Sequence, residues 1–135
     1  MLEAILTSNR ALRALIALRL ILGLSAYLRP DLAARAFGID PDEGAATPSA
    51  VRLFGSREAA LGLAVALSSG TELRRWLIIG AGVDALDVAT VVMGARSGRL
   101  GRTTVAVGAG MASTAVALGL RSLVRPRAGA GPSTS

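Results

Sequence analysis

The sequence predicts an all-α protein: a four-helix transmembrane bundle with antiparallel up-down neighbours, short loops and one longer first connection. Three observations predict it. Four apolar segments of about 20 residues, the length that crosses a hydrocarbon core of about 30 Å, are separated by turn-like stretches. The 135 residues are 52% hydrophobic with mean hydropathy +0.54, and 18% are charged, against about a quarter in soluble domains. Aromatics make up only 3% and glycine occurs 16 times, so the apolar mass is small or aliphatic, which lets helix backbones approach closely in lipid.

The first segment runs from Arg10 to Leu28 and stops where Arg29 precedes Pro30, since the residue before proline is biased away from helix. Arg13 and Arg19 interrupt what would be the apolar region of a secretory signal, so this helix is read as retained. The second, residues 48–69, opens on Thr47-Pro48, a capping residue followed by proline at the first helical position. The third spans residues 74–93 and the fourth 103–124, the latter with 18 consecutive uncharged residues from Thr103 to Leu120. The longer link, "RPDLAARAFGIDPDEGAA", contains an expected interfacial turn of helix with Leu32, Ala36 and Phe37 on one side. Residues 1–124 are thus one membrane domain, and residues 125–135, rich in Gly, Pro and Ser, read as a disordered tail.

The charges inside these helices fall at one depth. At about 1.5 Å per residue from the face carrying both termini, Arg19 lies about 13 Å deep, Glu58 and Asp84 about 15 Å, and Asp87 about 20 Å. Ser113 and Thr114 of the fourth helix lie near the same level. Asp84 and Asp87, three apart, share a helix face, as do Gly55, Glu58 and Gly62. Charges in lipid are costly and pair within the bundle, so Arg57 beside Glu58 belongs to a polar layer. Arg19 and Arg57 face three carboxylates there. If Arg52 reaches inward the layer is neutral; if it snorkels to the headgroups, one carboxylate is in excess, and like charges sharing a site do not all ionise easily.

The chain has no His and no Cys, which excludes His bases, thiolate nucleophiles, disulfides and His/Cys metal sites. No cofactor motif is present. The net charge of +6 comes from 15 arginines spread along the chain, without the basic and aromatic interleaving of a nucleic-acid platform, so the partner expected for them is the bilayer. Arginines number seven on the face with the termini and six on the other, a bare margin for cytoplasmic termini.

The run of "LRPDLAARAFGID", "RLFGSREAALGLAVAL" and "GAGVDALDV" resembles small four-helix membrane proteins of the DoxX-like group, closest to an uncharacterised domain-of-unknown-function family near it. That resemblance implies an integral four-helix bundle and no transferable activity. The lysine-free, arginine-rich composition resembles proteins of GC-rich bacteria, a hint about source only; the expected location is the bacterial inner membrane.

Three functions fit the layer besides a purely structural ion network. The first is binding of a lipophilic small molecule or partner helices, with Arg19, Arg52, Ser113 and Thr114 lining the pocket. The second is acid–base catalysis on a lipophilic substrate, with Asp84 and Asp87 as acid and base and Arg57 and Glu58 positioning them. The third is a small proton-coupled transporter working as a homo-oligomer.

Overall fold

A computed structural model describes residues 10–124. Five helices follow in chain order: α1 (Arg10–Leu28), α2 (Pro30–Ala36), α3 (Thr47–Leu67), α4 (Gly70–Arg96) and α5 (Arg102–Val124). The described residues are all-α, with four long helices and the short α2 set into the first connection. The expected tail, residues 125–135, lies outside the described residues.

Three helices, α1, α4 and α5, are long and apolar enough to cross a membrane. The fourth long helix, α3, differs because Arg52, Arg57 and Glu58 sit so centrally that every 18-residue stretch of it contains all three.

The third expected helix is longer at both ends than its apolar run. "SSGTEL" is not a loop: only Ser68 and Ser69 separate α3 from α4. Glu72 lies in the first turn and accepts from Arg75 at 2.7 Å, an i, i+3 pair placed favourably for the helix dipole. At the other end Gly94 does not break the helix; it leaves room for the Leu100 side chain. α4 ends two residues later, at Arg96, in a Schellman closure, with Gly98 at φ 69° and Arg99 N–H donating to Gly94 C=O at 3.1 Å. α2 closes the same way, through Gly38 at φ 71° and Ile39 N–H to Ala34 C=O at 2.9 Å.

The long helices associate as two close pairs, α1 with α3 and α4 with α5. α5 also packs on α1, whereas α3 meets α4 over a smaller area. The α1–α3 contact is nearly backbone to backbone. A Cβ on Gly23 would collide with Ala59 N and lie 2.7 Å from Gly55 O, and one on Gly55 would lie 2.6 Å from Gly23 O. Gly108 performs a milder version on α5, against Val91 of α4; an added Cβ would meet nothing within 4 Å at exposed Gly110 or at Gly119, which is buried beside a small interior void.

The apolar core gathers Leu12, Leu15, Val65, Leu77 and Ala115, backed by Trp76 and Leu118. It occupies the end of the bundle where α1 and α4 begin and α3 and α5 finish. Large apolar side chains point outward instead: Ile21 is 67% exposed, Leu53 71% and Leu86 69%, a surface suited to lipid.

Glycine substitutions separate close approach from open surface. Gly23→Val is expected to lower stability by about 3 kcal/mol, the upper range for overpacking. Gly82→Ala, where nothing lies within 4 Å, should raise it by up to about 1 kcal/mol through helix propensity. Unfolding of both variants in detergent checks the pair.

Candidate functional site

On three of the long helices the inward positions follow one stripe each. On α1 these are Leu12, Leu15, Arg19, Gly23 and Ala26. On α3 they are Gly55, Glu58, Gly62 and Val65, and on α4 Leu77, Gly80 and Asp84. The i, i+3, i+4 spacing therefore aims Arg19, Glu58 and Asp84 at one another from three helices.

Arg19 and Leu15 are the largest fully buried side chains, and Arg19 is only 2% exposed. Its Nη1 donates to Glu58 Oε2 and its Nη2 to Asp84 Oδ2, each at 2.7 Å. Two glycines make this burial feasible. A Cβ on Gly62 would lie 3.1 Å from Arg19 Cβ, and one on Gly80 would lie 2.9 Å from Arg19 Nη2. Each acid thus has a glycine one turn away, and the arginine passes through the gap between them.

A second ion pair stands beside the first. Arg57 Nη2 donates to Asp87 Oδ2 at 2.7 Å and to Glu58 Oε1 at 3.4 Å, and Nη1 reaches Asp87 Oδ1 at 3.2 Å. This pair is about a third exposed. Arg57 Cζ lies 5.2 Å from the ring centroid of Phe54, within cation–π range, and Phe54 meets Phe37 edge-on at 5.9 Å.

The sequence-derived depth alignment holds for α1, α3 and α4 and fails for α5. Ser113 and Thr114 are exposed, and Thr114 turns its hydroxyl back to Gly110 C=O at 2.8 Å. The inward face of α5 is instead Gly108, Met111, Ala112 and Ala115, from which residues 113 and 114 are rotated by about 100° or more at 3.6 residues per turn. Arg52 is also outside the layer: it is exposed, and its Nε points to Tyr27 C=O at 3.4 Å. Its position six residues into α3 leaves it within reach of the helix end. The layer therefore contains two guanidiniums and three carboxylates among the described residues.

Above the layer, away from the apolar core, a cavity of about 210 Å³ separates the two helix pairs. Arg19, Glu58, Asp84 and Asp87 lie along it, α5 contributes a small apolar wall, and Phe37 and Phe54 stand at its far end. The two phenylalanines, the only ones in the chain, and the Gly108–Ala112–Ala115 face carry no charge. A search for polar residues passes over them, although the i, i+4, i+7 spacing of small residues was there to read.

Carboxylate oxygens of Glu58, Asp84 and Asp87 approach within 4.8 Å of one another, a spacing that could suit a cation. Two guanidiniums already engage them, so a metal ion would have to displace Arg19 or Arg57. The arrangement is an arginine shared by two acids from different helices, with a third acid at the rim.

Removing one partner of the inner network leaves charge unpaired in the interior. Arg19→Met is expected to lower stability by about 3–5 kcal/mol, and Arg57→Met by clearly less, because Asp87 keeps partial exposure. Chemical unfolding of the two variants side by side gives the order.

No curated protein and no solved structure matches the chain. Residues 17–113 match the family described as "Domain of unknown function (DUF4267)". That span covers more than half of the chain and includes all five charged residues of the layer, and the chain belongs to the DUF4267 family.

Proposed function

We propose that this is an integral membrane protein whose four long helices all cross the bilayer, and whose cavity binds a lipophilic small molecule over the charged layer. One observation carries the reading: an apolar-walled cavity of about 210 Å³ ends directly on a buried network of Arg19, Glu58 and Asp84. Pockets that bind small molecules combine apolar walls with a few convergent polar groups. A network serving register alone has no need of space beside it. The charges of α3 fit a spanning helix because Glu58 is buried, Arg57 is paired and Arg52 lies near the helix end.

A second reading, acid–base catalysis in the same cavity, is favoured by the pairing pattern. Asp84 and Glu58 share Arg19 while Asp87 stands at the rim, so the acids occupy different environments and can take different roles. Glu58, engaged by both arginines, is poorly placed as the mobile proton carrier of a transporter. A bacterial inner membrane with cytoplasmic termini, kinship with DoxX-like proteins and self-association belong to the same proposal.

The test is native mass spectrometry of the purified chain in nanodiscs, together with thermal unfolding. The wild type should carry a co-purified lipophilic molecule, and Ala112→Leu, which fills the cavity from α5, should lose it while staying folded. If Ala112→Leu retains the molecule, or the wild type carries none from any lipid extract supplied, the cavity is not a binding site. Under the catalytic reading Asp84→Asn and Asp87→Asn still bind the molecule but leave it chemically unchanged.

A further inference from the structure

We propose that the occupant of the cavity is a single-chain lipophilic amine, its ammonium group against Asp84 and its hydrocarbon leaving between α1 and α5. The proposal rests on the cavity being a ligand site and adds what kind of ligand it takes.

Charge is the first argument. The charged side chains along the cavity are Arg19, Glu58, Asp84 and Asp87, one cation against three carboxylates. Arg57, tied to Asp87 and Glu58 from behind, still leaves one carboxylate in excess, and Arg52 is turned away to Tyr27. An uncompensated charge in this setting is costly, and a cation that can also donate hydrogen bonds compensates it most directly.

The second argument is a vacant acceptor, independent of the charge count. Both oxygens of Glu58 and both of Asp87 accept from a guanidinium. Asp84 accepts only through Oδ2, and no donor among the described residues reaches its Oδ1. The Asp84 side chain is 4% exposed and lies along the cavity. Oδ1 is not sealed from the cavity, since the buried atoms of the layer left without a partner are the donors Arg19 Nε and Arg57 Nε; it is the carboxylate oxygen of the layer left free to accept an N–H from a ligand.

The third argument is a path for the tail. The cavity has room for about seven water volumes, enough for a head group and a short stretch of chain. Leu18, Leu22, Phe37 and Met111 line this cavity and also an outer groove of about 650 Å³. That groove continues along Ile21, Leu24 and Leu28, which are 67%, 52% and 68% exposed. Hydrocarbon can therefore run from the charged floor to the bilayer along mostly apolar side chains, with Ser25 and Arg29 the polar residues of the groove.

The experiment compares decylamine, decanol and decanoate on the full chain in nanodiscs of zwitterionic lipid, read by native mass spectrometry and thermal shift. Decylamine should bind at least about tenfold more tightly than decanol, the scale of one charge-assisted hydrogen bond, and decanoate should not bind. Ala112→Leu should abolish decylamine binding. Asp84→Asn should bring decylamine and decanol level; Asp87→Asn, which also removes one negative charge, serves if Asp84→Asn does not fold, and should narrow the preference. Equal binding of decanol and decylamine by the wild type would mean that a proton balances the layer, and would overturn the ammonium assignment while leaving the cavity a ligand site. Preference for decanoate would overturn it likewise. Binding of none of the three, or decylamine binding unchanged in Ala112→Leu, would remove the cavity itself as the site.

Discussion

The buried Arg19, held between Glu58 and Asp84, is the interaction on which the rest of the structure depends. It joins three helices at a single point. A guanidinium so deep is tolerable only with both forks paired, so the register of α1 against α3 and of α1 against α4 follows from it. Shifting either partner by one residue would turn its carboxylate away by about 100° and leave the arginine half satisfied. Gly62 and Gly80 belong to the same constraint, since a side chain at either place would occupy the space of the arginine.

The layer also divides the molecule into two unlike halves. On one side, Leu12, Leu15, Val65 and Leu77 close the bundle as an ordinary apolar core. On the other, a cavity lies between the helix pairs, walled by small α5 residues and ended by Phe37 and Phe54. The α2 turn helps position that end: Gly38 sits against Thr103, and Thr104 Oγ1 approaches Gly38 C=O at 3.4 Å. One closed half and one hollow half, with charge at the boundary, make the arrangement more than a packing solution.

Much of this was legible in residue order. Helical spacing of Asp84 and Asp87, and of Gly55, Glu58 and Gly62, placed the acids and the close-packing glycines on shared faces, and depth counting brought Arg19 to their level. The count failed on α5 because it selected Ser113 and Thr114 by polarity, whereas a membrane helix can satisfy hydroxyls on its own backbone, as Thr114 does with Gly110. Arg52 was ambiguous in sequence because a long side chain six residues from a helix end can turn either way. Gly23 was missed since its contact partner, Gly55, lies on another helix, and no spacing along one chain segment reveals a crossing point. The α4 boundaries were missed because hydropathy falls before the helix does, with Glu72–Arg75 sustaining the first turn.

The glycine contact between α1 and α3 has a mechanical meaning. With Gly23 and Gly55 backbone to backbone, those two helices form one stiff lever, and α4 with α5 forms another. The levers meet at the apolar end and at the Arg19 cluster, which acts as a fulcrum part-way along their length. Beyond it the Arg57–Asp87 pair and the contact of Gly38 with Thr103 and Thr104 join them, so a rotation of a few degrees there would change the width of the hollow half while the core barely moves. The volume of the cavity is then set by the angle between two rigid bodies, and the salt-bridge geometry at the fulcrum is where that angle is fixed.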